Sequence, residues 1–273
     1  MVEKVILIIS TGRTGTKSLA GFFDKHFDNL KSYHQPRLSR RINVLSNMYI
    51  SGIIPESIFK KAINSLKKDI IVNSEQEYYV EANTMNYISA DVLKEIKGKK
   101  VYIIHVIRDP RDFVRSYINW KHMRIQSYIA NSVLPFWHPS GFLLDDYSLL
   151  EWLKLDEFEK NCWYWKEENK IMLDLYSDYE YFKSVRFEDI FLADDKERFL
   201  KELVEFVGLE FEKGMMDYFE TKKNKSKKEY FPKWDEWGPE KCKKLQAICE
   251  DLMDEYDYGE EKEWVKKLGN REI

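Results

Sequence analysis

Two nearly unbroken apolar runs stand out from the hydrophobic pattern. Val5–Ile9 and Val101–Ile107 are short and rich in β-branched residues, and lack the alternation of a half-exposed strand; each is predicted as a strand buried on both faces. After the first run, Leu19, Phe22, Phe23 and Phe27 recur at helical spacing and predict a helix over roughly 15–27. Leu30–His34 is a candidate short strand. Arg37–Ile50 and Pro55–Leu66 are expected helices, separated by Gly52 and Pro55. Tyr78–Ala82 is a strand candidate with a polar end, and Met85–Ile96 is an amphipathic helix that Gly98 would close. Beyond Ile107, Asp109 suits a helix cap and Pro110 a first helical position, opening a helix that carries Phe113, Ser116, Tyr117 and Trp120.

Further on, the pattern breaks over about 126–147, where Pro135, Pro139, Ser140 and Gly141 interrupt many aromatics; this is read as an irregular excursion or lid. Leu149–Leu175 is expected as a tryptophan-rich helix, Tyr181–Phe187 as a strand and Lys196–Phe206 as a helix. Thr221–Trp234 is a lysine-rich loop, and Pro239–Tyr256 a final amphipathic helix. Strands alternating with helices predict a three-layer α/β/α fold with a central parallel sheet, as one domain over 1–273.

Composition narrows the classes. A hydrophobic content of 44% suits a globular chain, and a net charge of −3 gives no global attraction to nucleic acid or acidic membranes. No apolar run reaches the ~18 residues of a membrane span. The start lacks the basic residues and long apolar core of a secretion signal. Cys162, Cys242 and Cys249 have no metal-ligand spacing, so no zinc site or disulfide framework is expected, and reduced thiols point to the cytoplasm.

The candidate chemistry begins where the first strand ends. Ser10–Ser18 holds two glycines, three threonines and Arg13, between a buried strand and a helix. Backbone N–H groups of such a turn, with the unpaired first N–H groups of the helix, converge on an anion, and Arg13 adds a forked cation. An ordinary strand-to-helix turn is the plainer alternative. The glycines are three apart and Thr16 precedes Lys17, so the stretch is not a Walker A loop. In a parallel sheet, ligands bind beyond the carboxyl ends of the strands, where Arg108–Ser116 also lies. Arg108 at a strand end and Ser116 about two turns into the next helix could face one anion.

These stretches resemble the sulfotransferases that use 3′-phosphoadenosine 5′-phosphosulfate. Arg13-Thr14-Gly15-Thr16-Lys17-Ser18-Leu19 is similar to the family's 5′-phosphosulfate loop, [K/R]-[S/T]-G-T-[S/T]-x-L, with lysine where a hydroxyl residue is usual. Arg108, Pro110 and Ser116 match the 3′-phosphate motif R-x-P-x-x-x-x-x-S. Val185–Ile190 is similar to the late V-x-[Y/F]-E-D-L strand, and Lys233-Trp234 with Gly238-Pro239-Glu240 resembles the close of bacterial and carbohydrate members. The resemblance implies sulfuryl transfer to an acceptor hydroxyl or amine, without a metal, and adenosine 3′,5′-bisphosphate as product. The alternatives are a P-loop kinase or NTPase acting with Mg-ATP, with Asp109 as metal carboxylate, and a nucleotide-binding protein without turnover.

The resemblance also implies roles. Arg13 would meet the bridging and sulfuryl oxygens. Thr14, Gly15, Thr16, Lys17 and Ser18 would bind the 5′-phosphate. Arg108 and Ser116 would hold the 3′-phosphate, with Lys227, Lys228 and Lys233 of the basic loop as further contacts. A base must take the acceptor's proton. Glu81, at the polar end of the Tyr78–Ala82 strand, is the first candidate, with a salt bridge to Arg13 or a lysine as its plain alternative; His34 is the second. His105, in mid-strand, is expected as a hydrogen-bonded core residue. Trp152, Phe158, Trp163 and Trp165 are expected mostly in the core, whereas some of Tyr128, Phe136, Trp137, Phe142 and Tyr147 are expected to line a cleft for a carbohydrate or small hydroxylated acceptor.

Overall fold

The computed structural model describes residues 2–68, 71, 75–121, 137–220 and 230–269. Five strands form one sheet: β1 (Lys4–Ile9), β2 (Leu30–His34), β3 (Tyr78–Ala82), β4 (Lys100–Ile107) and β5 (Phe182–Arg186). Their spatial order is β2-β3-β1-β4-β5, and every pairing is parallel. The longer helices are α1 (Thr16–His26), α2 (Ser39–Ile50), α3 (Glu56–Ile63), α4 (Pro110–Lys121), α5 (Leu149–Lys154), α6 (Glu157–Tyr176), α7 (Lys196–Phe206), α8 (Pro239–Glu255) and α9 (Lys262–Leu268).

The central place of β1 explains its unbroken apolar run. Ile6 and Ile8 pack on one side with Leu19, Phe22 and Phe23 of α1 and Leu200, Leu203 and Val204 of α7. Val5, Leu7 and Ile9 pack on the other with Ile42 of α2, Phe59 and Ile63 of α3, and Met172 and Tyr176 of α6. Burying such a side chain is worth roughly 1.5–3 kcal/mol, so both faces must be apolar. The expected three-layer arrangement is therefore present. The chain leaves β1 towards one face and β4 towards the other, which opens a crevice between their carboxyl ends.

Three expectations differ in detail. The helix expected over Met85–Ile96 is only a 3₁₀ turn, Thr84–Asn86, and a short helix, Ala90–Leu93. The Asn83 side chain accepts from the Met85 N–H, and Asn86 turns its amide to Glu81, so side chains compete with a continuous helix. The helix expected over Leu149–Leu175 is two helices, because Asp156 forms a fresh capping box with Glu159 behind an extended Leu155. Phe142 and Tyr147, two of the candidates for a cleft, pack instead on the buried Trp152, Trp163 and Tyr164. Tyr128, Phe136 and most of the basic loop lie outside the described residues. Trp152, Phe158, Trp163 and Trp165 are buried, as expected.

His105 is the hydrogen-bonded core residue its mid-strand place suggested. Its ring nitrogens lie 2.9 Å from Ser184 Oγ and 2.9 Å from Asn169 Oδ1. Burial pushes its pKa from 6.5 down to about 4, against the opposing Asn169 hydrogen bond. The unfolded chain takes up this proton near 6.5 and the folded chain only near 4. Stability from the neutral ring is therefore whole above about pH 6.5 and falls, by up to about 3 kcal/mol, as pH drops to about 4. In urea titrations, His105→Asn should lose about 3 kcal/mol less than wild type between about pH 7 and pH 4.

Candidate functional site

The turn after β1 has the backbone geometry that an anion site uses. Its backbone enters the left-handed region at Gly12 (φ 98°), Arg13 (φ 59°) and Gly15 (φ 74°). For an arginine this costs about 1–2 kcal/mol, so the surroundings must impose it. Ser10 does so in part: its Oγ accepts from the Gly12 N–H at 3.2 Å and from Thr14 Oγ1 at 2.7 Å. Gly15 cannot be replaced freely, since a Cβ there would stand 2.7 Å from the Phe191 ring. As the N-cap of α1, Gly15 brings no capping side chain, and no acidic residue occupies the first turn. The positive end of α1 is thus turned to the crevice without a counter-charge.

The end of β4 meets this turn. Arg108 Nη1 donates to the Arg13 carbonyl at 2.7 Å, and Arg13 Nε donates to Ser116 Oγ of α4 at 2.9 Å. Residues almost a hundred positions apart in sequence thus form one cationic pocket. Burial and then the nearby Arg108 charge lower the Arg13 pKa, while Tyr117 opposes them. Arg108 Nε is buried without a partner among the described residues, and Asp112 reaches Arg108 Nη2 only at 3.5 Å. Like charges held together in this way call for a bound anion.

Val185–Ile190 supplies the brace. The Arg108 guanidinium lies 4.4 Å from the Phe187 ring centroid. Glu188 accepts from the Asp109 N–H at 3.1 Å and from the Tyr258 hydroxyl at 2.8 Å. Burial raises the Glu188 pKa, and those hydrogen bonds oppose the rise. Asp109 caps α4 through the Arg111 N–H, and both of its oxygens are taken by the buried Arg111 side chain, which also holds Glu261.

The two candidate bases are apart. His34, exposed, lies at the end of edge strand β2, with Nε2 3.5 Å from Thr16 Oγ1. Burial and then Lys17 lower its pKa, favouring the neutral, proton-accepting ring. Glu81 points to the opposite face of the sheet and is fully buried. Both its oxygens accept from Lys67 Nζ; Oε2 also accepts from the Tyr79 hydroxyl at 2.7 Å, and Oε1 from Asn83 and Asn86 at 2.8 Å each. The ion pair foreseen with Arg13 or a lysine is made with Lys67. Lys17 is exposed, and Lys227 and Lys228 lie outside the described residues.

A family model described as the sulfotransferase domain matches residues 3–237. The chain belongs to the sulfotransferase family. Among solved structures, a sulfotransferase from Alicyclobacillus acidocaldarius is 14% identical, covers 97% of this chain and 99% of its own, and has a TM-score of 0.54, a likeness of fold. The sulfotransferase domain of the Synechococcus PCC 7002 olefin synthase is 16% identical, with 80% and 78% covered and a TM-score of 0.49. That of the curacin biosynthetic pathway is 13% identical, with the same coverage and a TM-score of 0.48. A comparison with curated proteins finds no match. Among the described residues of this sulfotransferase, no helix is long and apolar enough to cross a membrane.

Some residues around the pocket carry no short-range signal. Lys67 reads as one of many helix lysines, and Arg111 as a solvated charge. Asn119, one turn beyond Ser116, receives the Tyr230 and Phe231 N–H groups on its Oδ1 and so ties the end of the basic loop to α4. Only its i+3 spacing from Ser116 could have singled it out.

Removing Lys67 leaves the Glu81 charge buried and uncompensated. Lys67→Met should cost about 3–5 kcal/mol and lower the melting temperature on the order of 10 °C. The double variant Lys67→Met/Glu81→Gln should be more stable than Lys67→Met alone in the same melt; a further loss would show that the pair is not coupled.

Proposed function

We propose that this sulfotransferase moves a sulfuryl group from 3′-phosphoadenosine 5′-phosphosulfate to a hydroxyl or amine of a carbohydrate or small hydroxylated metabolite. The observation that carries the reading is the junction of Arg108, Arg13 and Ser116 across the crevice. Two anionic ends of one nucleotide need two cationic sites at a fixed separation, and this junction joins the two motifs. When bound, the donor supplies an activated sulfuryl group with a phosphate leaving group.

Within this reading, Thr14, Gly15, Thr16, Lys17 and Ser18 bind the 5′-phosphate through N–H groups, hydroxyls and the lysine charge. Arg13 stabilises charge on the bridging and sulfuryl oxygens, a role typically worth about 3–4 kcal/mol. Arg108 and Ser116 hold the 3′-phosphate, with Lys227 and Lys228 proposed beside them. Asp109, which a Mg-ATP enzyme would need as metal carboxylate, is already committed to Arg111. A cytoplasmic setting is proposed with it, since Cys162, Cys242 and Cys249 are buried free thiols.

Glu81 is proposed as the base. Its strand end faces α2, and it would act once Asn86 or Lys67 gives up a bond to it, as catalytic hydrogen bonds rearrange on binding. His34 is the second reading, favoured by its open place beside Thr16.

Adenosine 3′,5′-bisphosphate should stabilise the protein without metal by about 2.7 kcal/mol at a hundredfold excess over its dissociation constant, a melting shift on the order of 5 °C. A larger shift with Mg-ATP would refute the donor assignment. Arg108→Ala should weaken the bisphosphate by roughly 1.5–3 kcal/mol and leave adenosine 5′-phosphate nearly unchanged in calorimetry. Glu81→Gln, assayed well below its melting point, should keep bisphosphate binding and lower turnover at least about a hundredfold. Near wild-type turnover there, with His34→Ala inactive, would pass the role to His34.

A further inference from the structure

The peptide unit between Arg108 and Asp109 is hydrogen-bonded at both of its polar atoms by side chains. Trp165 Nε1 of α6 donates to the Arg108 carbonyl at 2.7 Å, and the Asp109 N–H donates to Glu188 Oε1 at 3.1 Å. Most backbone groups find backbone partners in a sheet ladder or a helix turn. Here the chain has left β4 and has not yet closed a turn of α4, so side chains 57 and 79 positions away serve instead. A peptide plane held at both atoms cannot swivel about the two bonds that flank it. One of those bonds belongs to Arg108.

Glu188 is itself held. Its Oε2 accepts from the Tyr258 hydroxyl at 2.8 Å. Tyr258 is buried; that burial and then the Glu188 charge raise its pKa, so the hydroxyl keeps its proton and donates. The Arg186 guanidinium lies 4.8 Å from the Tyr258 ring centroid and restrains the ring as well. The turn that delivers Tyr258 is left-handed on both sides of it, at Asp257 (φ 54°) and Gly259 (φ 90°). Glu261, three residues on, takes two N–H groups of Arg111 at 2.6 and 2.7 Å, and Arg111 holds the Asp109 carboxylate. The segment 258–261 thus reaches Asp109 twice, through Glu188 to its N–H and through Arg111 to its side chain.

The same attachment governs the guanidinium. Glu188 belongs to the short helix Phe187–Phe191, whose first residue places its ring 4.4 Å from the Arg108 guanidinium. Fixing Glu188 against Asp109 therefore sets both the backbone of Arg108 and the aromatic surface on which its side chain rests.

We propose that Glu188 and Tyr258 are positioning residues for Arg108, and that they set the preference of this sulfotransferase for a nucleotide with a 3′-phosphate over one without it. They act through the Arg108 backbone and through Phe187. An arginine fork meets a phosphate with a definite geometry, and such contacts need placement to within about 0.5 Å and 10–20°. Without the clamp the charge of Arg108 remains but its aim is lost. The proposal rests on the donor reading above, and deepens it by naming what aims the 3′-phosphate contact.

The test is the ratio of affinities for adenosine 3′,5′-bisphosphate and adenosine 5′-phosphate, measured by calorimetry on the full chain. Glu188→Ala should lower that ratio about fivefold or more by weakening the bisphosphate alone. Glu188→Gln keeps an amide oxygen for the Asp109 N–H and should stay within about twofold of wild type. Tyr258→Phe keeps the ring beside Arg186 and should lower the ratio about twofold or more. A lower melting temperature for Glu188→Ala with an unchanged ratio would reduce Glu188 to a structural role and overturn the proposal. An equal loss in Glu188→Gln would assign the effect to charge and overturn it too. Hydrogen exchange at the Asp109 amide needs no nucleotide: it should be about tenfold or more faster in Glu188→Ala than in wild type, and near wild type in Glu188→Gln. Unchanged exchange would refute the clamp. If Glu188→Ala does not fold, Tyr258→Phe decides, and an unchanged ratio with unchanged Asp109 exchange there overturns the proposal. Wild-type protein that binds both nucleotides equally would instead refute the donor reading, while the Asp109 exchange would still decide on the clamp.

Discussion

Two guanidinium groups held side by side are the constraint around which this crevice is arranged. Left to themselves, Arg13 and Arg108 would separate into water. They stay because the backbone carbonyl of one receives the side chain of the other at 2.7 Å, while Ser116 receives Arg13. The support is covalently remote: Phe187 lies under Arg108, Trp165 Nε1 donates to the Arg108 carbonyl at 2.7 Å, and Phe191 closes against Gly15. An arrangement that keeps like charges together beside a helix end without a side-chain cap costs folding stability, and a bound anion would offset it.

A second, different electrostatic arrangement lies across the sheet. There the buried charges are paired with opposite ones rather than set side by side. Glu81 is neutralised by Lys67 and surrounded by hydroxyl and amide donors, and Glu168 orients His138. Buried polar networks of this type hold a single geometry because each member loses a partner if another moves.

Much of the scaffold was legible because its determinants are local. The limits of β1 and β3 follow from apolar runs and their flanking turns, and the start of α4 from Asp109 and Pro110. The misread stretch at 85–96 failed for a physical reason: Asn83 and Asn86 have helix-compatible neighbours but spend their side chains on the 3₁₀ turn and on Glu81. Phe142 and Tyr147 look exposed in a Pro- and Gly-broken segment, yet Trp152 and Trp163 on later helices give them a surface to cover.

By itself the sequence determined the parallel α/β fold, the glycine-rich turn after β1 and the spacing of Arg108 from Ser116, because each is written in stretches of a turn or two. Only the tertiary structure decided which of those groups meet. Lys67 and Glu81 are 14 positions apart, His138 and Glu168 are 30, and Arg111 and Glu261 are 150. No periodicity records such pairs. They arise because burial forbids a lone charge, and packing of the helices against the sheet selects which partner is within reach.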